Sequence, residues 1–370
     1  MIDTRESILE VLEIVPEEIT NAVDSASAVG LVYIFDDQPG YSRHRNEQGF
    51  YYMDGNNILQ NKKELERIKS LVLPPAWEKV WICKLKNGHL QATGYDQLNR
   101  KQYRYHPLWI AIRNQTKFYR LKEFGNRLPM IRERVEKDLA LPGFPQRKVL
   151  AAMVSLLERI NIRVGNASYE KLYGSFGLTT LKNRHVKIDG TKLQLSFIGK
   201  KGVRHNITLA SRRLANIIRG CKEIPGKELF EYYDESGNIK KIDSGEVNNY
   251  IKEISEGEFT AKDFRTWAGS IHALLGFKEL GGFESEAEMN RKIPAVIDLV
   301  AKQLGNTRSV CKKYYIHPII LSLYKDQKLD DYIHELDDTT AINGDRYTAE
   351  ERVLLRILEN ENITNKHFHG

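Results

Sequence analysis

Cysteine is scarce in this chain. Its three residues, Cys83, Cys221 and Cys311, are odd in number, far apart and without a CxxC pair. Neither a disulfide framework nor a zinc site is indicated, and a reducing, intracellular compartment is the simplest reading. Long apolar runs are missing too: none approaches the roughly 20 residues that a membrane span needs. The opening MIDTRESILEVLEIVPEEIT is acidic and amphipathic, with no basic n-region and no apolar h-region, so a signal peptide is not expected. There is no GxxxxGK[ST] loop to predict ATP binding. There is no HExxH helix and no dense acidic cluster of the two-metal type. The glycines of RVGNASYEKLYGSFG do not fit a dinucleotide fingerprint. No metal and no cofactor is expected. Any phosphoryl chemistry must rely on cationic side chains and a protein nucleophile.

What is present is positive charge, unevenly placed. The 370 residues carry 56 Lys/Arg against 49 Asp/Glu, a net of +7. Residues 79–122 hold ten Lys/Arg and one acid, Asp96. Residues 179–205 hold seven Lys/Arg and one acid, Asp189. From Asp326 onward eleven acids face five Lys/Arg. Any single basic cluster is most simply a solvated face. Two concentrated basic blocks, rich in tyrosine and flanked by acidic ends, favour a phosphate-rich partner.

The length predicts about two domains. Residues 1–27 read as a helical lead-in. GLVYIFDDQPGYSRHRNEQGFYYMDGNNI alternates apolar residues around turns and predicts strands and hairpins. NKKELERIKSLVLPPAW starts helical and is stopped by Pro74 and Pro75. In WICKLKNGHLQATGYD, Asn87-Gly88 suits a type I′ turn. From Pro107 the period becomes helical: one or two helices end at the Pro-Gly-Phe-Pro run of 142–145, and RKVLAAMVSLLERINIRVGN shows an apolar stripe. Residues 178–209 return to β, with turns at Asp189-Gly190 and Gly199–Gly202. TAKDFRTWAGSIHALLGF, RKIPAVIDLVAKQLG and YTAEERVLLRILEN are helical, the last with a capping box from Thr348 to Glu351. The expected fold is α+β: a small β-rich N-terminal domain (1–107) and a larger, mainly helical C-terminal domain (108–370) with a β-hairpin insert and an acidic tail (326–370).

Six blocks, in order, carry a resemblance: LPPAWEKVWIC, GHLQATGYDQLNRKQYRYHPLW, INIRVGN, GLTTLKNRHV, KDFRTWAG and QLGNTRSVCKKYYIHP. Together they resemble the type IB DNA topoisomerases of the small poxviral and bacterial kind, whose catalytic domain is related to the tyrosine recombinases. The resemblance implies a C-shaped clamp on double-stranded DNA, acting as a DNA-associated cytoplasmic monomer without ATP or metal. It implies that a tyrosine hydroxyl attacks a phosphodiester, giving a 3′-phosphotyrosine and a free 5′-hydroxyl. The cut strand swivels, and the 5′-hydroxyl then attacks back, so that supercoils of either sign relax. Such a step asks for cations around the phosphorane oxygens and an acid for the leaving 5′-oxygen.

Arg163 matches the first catalytic arginine of the family and Arg265 the second; a guanidinium fork suits two phosphate oxygens. Lys182 matches the hairpin lysine that acts as general acid, a job that favours a pKa below the free value of about 10.4. Lys187, Arg184 and Lys200 fit plain phosphate contacts better. Asn306 stands where much of the family has histidine; its amide can donate a hydrogen bond but cannot titrate, and Gly305-Asn306 is equally a helix-ending turn. Tyr315, nine residues on, matches the nucleophile. Tyr314 is one off, and neighbours on a helix differ by about 100° in direction. As a lone tyrosine among 18, either would more often be an aromatic anchor; the order Arg163, Lys182, Arg265, Asn306, Tyr315 reverses that. Gln102, Tyr103 and Tyr105 match positions that touch DNA in the family, while Arg100, Lys101, Arg104, Lys262, Lys312 and Lys313 fit phosphates. Two rivals remain at this level: a tyrosine recombinase, whose N-terminal domain is usually helical, and a non-enzymatic DNA-binding protein on the same scaffold.

Overall fold

The computed structural model describes residues 22–97, 99–337 and 346–360, and of residues 114–116, 119 and 168 the backbone alone. Most of the expected lead-in helix (1–21) and parts of the acidic tail (338–345 and 361–370) lie outside the described residues. The chain divides into two compact units, the first running to Tyr119 and the second starting at Arg120.

The first unit is built on one antiparallel sheet. Its strands are β1 (Tyr41–Asn46), β2 (Gly49–Asp54), β3 (Asn57–Ile58), β4 (Glu78–Ile82), β5 (Leu90–Tyr95) and β6 (Lys101–Tyr105), ordered β3-β2-β1-β4-β5-β6. Tyr41, Val80, Ile82 and Ala92 bury one face against Ile68. Ile68 lies on helix α2 (Lys62–Ser70), which Asn61 caps by accepting from the Lys63 and Glu64 amides; the short helix α1 is Ala22–Ala28. The polar strand β6 forms an edge, where charge protects open backbone groups.

Two local expectations are corrected. Residues 31–35 form no strand beyond a single parallel bridge from Val32 to Gly88. Asn87-Gly88 makes no type I′ turn, which needs positive φ at both residues, and neither has it. Instead Val32 donates to the Asn87 carbonyl (2.9 Å) and His89 to the Val32 carbonyl (2.9 Å). The buried Gln91 amide also holds the Leu85, Lys86 and Gly88 carbonyls. The chain still turns, but one residue earlier: Gly88 N donates to Leu85 O (3.2 Å), so Lys86 and Asn87 are the central residues, and the tertiary partners hold that register.

Helix α3 (Pro107–Leu139) is one continuous helix. The unit boundary falls inside it rather than at Pro107, because Trp109 and Ile112 pack with Ala26, Val29 and Leu31. In the second unit α4 (Gln146–Ile160) is the hub. Val149 through Leu157 are all buried, so the expected apolar stripe is in fact buried all round. It packs against α6 (Arg212–Glu223), α7 (Ser244–Ser255) and α8 (Ala261–Leu280). Helix α5 (Ala167–Tyr173) follows α4 in sequence, and α9 (Glu286–Leu304) lies beside α8. Then come α10 (Arg308–Tyr314), α11 (Pro318–Lys325), α12 (Asp330–Ile333) and α13 (Ala349–Asn360). The capping box of α13 is formed: Thr348 N donates to Glu351 Oε2 and Glu351 N to Thr348 Oγ1. Glu351 also receives Arg132 (2.7 Å) and Trp267 Nε1 (3.1 Å), which ties α13 to α3 and α8.

The expected hairpin insert is a three-stranded antiparallel sheet, β7 (Val186–Asp189), β8 (Lys192–Ile198) and β9 (Arg204–Ala210), with β8 central. Leu193, Leu195 and Phe197 alternate inward along β8. A further strand pair, β10 (Glu231–Tyr233) and β11 (Ile239–Lys241), was not legible in the sequence.

Candidate active site

Arg163 sits just past the end of α4. Asn161 takes the left-handed conformation (φ 53°) that ends the helix. The chain beyond it is fastened by backbone bonds: Leu178 N donates to Arg163 O (2.9 Å) and Thr179 N to Val164 O (2.8 Å). Two glycines permit this approach. A Cβ on Gly177 would stand 2.5 Å from Gly165 Cα and 2.8 Å from Arg163 O.

Arg265 rises from the second turn of α8 and is only 4% exposed. Its Nη1 donates to Asn161 O, its Nη2 to Leu304 O (2.8 Å), and its buried Nε has no partner among the described residues. Arg163 Nη2 donates to Gly305 O (3.0 Å) and to Asn306 Oδ1. Both guanidinium groups are thus held by neutral acceptors, and among the described residues no carboxylate pairs with either. Burial, and then the charge of Arg265, lower the Arg163 pKa. Two cations held together without a counter-ion are costly, and an anion between them relieves that cost.

Tyr315 follows α10 directly, with its amide bonded to Cys311 O (2.9 Å). The Arg265 guanidinium lies 5.1 Å from its ring centroid. Helix α8 approaches the Tyr315 backbone so closely that a Cβ on Gly269 would stand 2.5 Å from Tyr315 O. Gly269, in the KDFRTWAG block, makes a close backbone approach to Tyr315 that sequence reasoning passed over. Tyr314 instead has Lys313 over its ring at 5.3 Å.

The structure separates Lys182 from Lys200. Lys182 is enclosed by carboxylates: its Nζ lies 2.6 Å from Glu170 and 2.7 Å from both oxygens of Glu228. Burial alone would lower its pKa, but the hydrogen bonds and charges of Glu170 and Glu228 outweigh it, and the net direction is upward. The expectation of a lowered pKa there is corrected. Lys200 sits at the β8–β9 turn, exposed, with its Nζ 5.4 Å from the Tyr169 ring centroid.

These residues meet around a cavity of roughly 300 Å³, lined by Arg163, Arg265, Tyr315, Lys200, Lys262 and Tyr169 together with neutral neighbours. Four cations and two phenols therefore face one space, and no acid is among its lining residues. Of the expected set, Arg163, Arg265, Tyr315 and Lys262 come together here. Asn306 stands behind Arg163, its amide oxygen spent on the guanidinium, and Lys182 lies off the wall. Lys200, read from the sequence as a phosphate contact, takes the place expected of Lys182. The turn at Gly199–Gly202 was visible in sequence; that its tip folds toward Arg163 was not. Lys312 and Lys313 are exposed on α10.

In the first unit, Tyr103 and Tyr105 are exposed and their rings lie parallel, with centroids 5.8 Å apart. Arg104, the residue between them in sequence, is also exposed. Other expected contacts are internally engaged: Arg100 Nε and Gln102 Nε2 both donate to Asp96 Oδ2 (2.6 and 2.9 Å), and Lys101 pairs with Asp36 (2.6 Å). The three cysteines are free and buried. No helix among the described residues is long and apolar enough to cross a membrane.

Comparison with known proteins bears on this geometry. Residues 106–340 match the family described as the eukaryotic DNA topoisomerase I catalytic core. Residues 49–96 match the bacterial DNA topoisomerase IB N-terminal domain. The chain is 32% identical over 305 residues to the DNA topoisomerase 1B of Acanthamoeba polyphaga mimivirus, covering 80% of this chain and 91% of that one. It is 25% identical over 281 residues to the DNA topoisomerase 1B of Vaccinia virus (strain Copenhagen), covering 75% of this chain and 84% of that one.

Proposed function

The chain belongs to the type IB DNA topoisomerases, and from that premise we propose the roles of its residues in relaxing supercoiled DNA without ATP. The Tyr315 hydroxyl attacks a backbone phosphorus. The Tyr315 Oη–P bond forms as the P–O5′ bond breaks, and the phenol proton passes to solvent. Arg163 and Arg265 take the non-bridging oxygens, where charge builds in the transition state. Asn306 holds Arg163 in place, and Lys262 contacts the phosphate from the rim. Lys200 gives its proton to the leaving 5′-oxygen. After strand rotation each step reverses. The observation that carries this reading is the cavity that gathers two guanidinium groups, two lysines and Tyr315 with no acid in its lining.

Lys182 then has a different task. Its ammonium joins Glu170, on α5, to Glu228, so it fixes the segment that carries Tyr169. In the first unit, Tyr103, Tyr105 and Arg104 are the groups positioned to touch DNA, with Gln102, Arg100 and Lys101 oriented by Asp96 and Asp36. We propose that both units bind the same duplex and that the enzyme works as a monomer.

The test is relaxation of supercoiled plasmid in excess chelator without nucleotide, beside four variants. Wild type relaxes both signs on DNA lacking any special site, which separates it from a recombinase. Tyr315→Phe is inactive and Tyr314→Phe is active. Lys200→Ala lowers the cleavage rate by about 10²–10⁴-fold. Lys182→Ala leaves two carboxylates facing each other and costs about 3 kcal/mol of stability, with cleavage retained below its melting temperature. An active Tyr315→Phe, or an inactive but well-folded Lys182→Ala beside an active Lys200→Ala, overturns these assignments.

A further inference from the structure

His205 has no place in the roles above, yet it lies at the joint of the catalytic centre. It stands on β9 directly opposite Phe197, and the two rings are stacked with centroids 4.8 Å apart and planes 14° apart. The imidazole is wedged between two glycines on different elements. A Cβ on Gly199 would stand 2.7 Å from His205 Nε2, and a Cβ on Gly305 would stand 2.7 Å from His205 Cε1. Gly199 has an ordinary extended backbone, φ −91° and ψ −169°, so conformation does not demand glycine there; the space taken by the ring does.

The two glycines belong to opposite sides of the active site. Gly199 opens the turn that carries Lys200, a turn closed by Gly199 N to Val203 O (2.7 Å) and Gly202 N to Gly199 O (3.1 Å). Gly305 ends α9, and its carbonyl, with the Asn306 side chain, receives Arg163. The ring thus touches the acid's turn and the arginine's cradle at once. Burial, followed by the charges of Arg163 and Arg265, holds its pKa below the ordinary imidazole value, so it fills this space as a neutral spacer.

We propose that His205 is a positioning residue: its ring sets the separation between the Lys200 turn and the Arg163 cradle, and so places the Lys200 ammonium at the leaving 5′-oxygen. It does not touch the phosphate. Misplacing a reacting group by about 1 Å costs on the order of 10²-fold in rate, and His205→Ala opens enough space for such a shift.

The experiment is single-turnover cleavage of duplex DNA whose scissile 5′-oxygen is either oxygen or sulfur. A thiolate leaves without help from an acid, so the sulfur substrate bypasses Lys200. His205→Ala should slow cleavage of the oxygen substrate by about 10- to 100-fold and cleave the sulfur substrate at close to the wild-type rate. Gly199→Ala, which crowds the same ring, should show the same pattern and decides the matter if His205→Ala does not fold. Arg265→Ala, which acts beside Tyr315, should be slow on both. A His205→Ala rate that is unchanged on oxygen, or lowered equally on both substrates, overturns the proposal. The inference rests on Lys200 being the acid: if sulfur fails to restore Lys200→Ala, that reading falls first. If sulfur restores Lys200→Ala but not His205→Ala, only the role of His205 falls.

Discussion

Gly269→Ala is a test in which two physical effects oppose each other. Gly269 lies in the middle of α8, where alanine by propensity alone should stabilise the helix by about 1 kcal/mol. The added Cβ, however, would stand 2.5 Å from Tyr315 O and 3.0 Å from Tyr315 C. A carbon and an oxygen rest at about 3.3 Å, so one element must retreat by about 0.8 Å. The obstacle is backbone, which cannot rotate away as a side-chain tip can. Overpacking of this kind costs about 1–3 kcal/mol and should cancel or exceed the propensity gain. The displaced segment carries the nucleophile, so the rate should suffer more than the fold. A shift of that size predicts a drop of about 30- to 100-fold, or about 2–3 kcal/mol in the barrier. The assay is single-turnover formation of the covalent adduct on a short duplex, with a thermal melt alongside. A cleavage rate within threefold of wild type, together with a raised melting temperature, would show that the helix absorbs the methyl group and that the close contact does not position Tyr315.

Other predictions follow from the same structure. Glu351→Ala leaves Trp267 Nε1 without its acceptor and Arg132 with Glu158 and the Arg346 carbonyl but no second carboxylate; a loss of about 3–5 kcal/mol should lower the melting temperature by about 6 °C or more, and an unchanged melt would refute the role of this network. Burial, reinforced by the charge of Glu228, raises the Glu231 pKa. The fold therefore favours its protonated form, and that contribution is lost as pH rises through and above the ordinary carboxylate range. Glu231→Gln should raise the melting temperature at pH 8 and change it little at pH 4; an equal drop at both would count against this. DNA affinity should fall steeply with salt, and Lys262→Ala should flatten the logarithmic slope by about 0.9. An unchanged slope would place Lys262 away from the phosphates.

The sequence by itself determined much of this protein. The family resemblance carried by the six ordered blocks singled out Arg163, Arg265 and Tyr315, because each lies in a short motif that can be read along the chain. Helix ends were legible wherever local chemistry governs them, as at the Pro-Gly-Phe-Pro run and in the Thr348–Glu351 box. Only tertiary structure could decide the rest. Asn87-Gly88 is a strong turn signal, yet the turn closes one residue earlier, from Gly88 N to Leu85 O, while the Asn87 carbonyl receives Val32, a partner distant in sequence. The β10–β11 pair is too short to show a period. Lys182 and Lys200 are both basic residues of one block, and nothing local tells them apart. What separates them is which of them meets Glu170 and Glu228 and which is carried by a turn toward the unpaired guanidinium groups. Such contacts are non-local, set by how the three-stranded sheet packs, and a linear pattern does not record them.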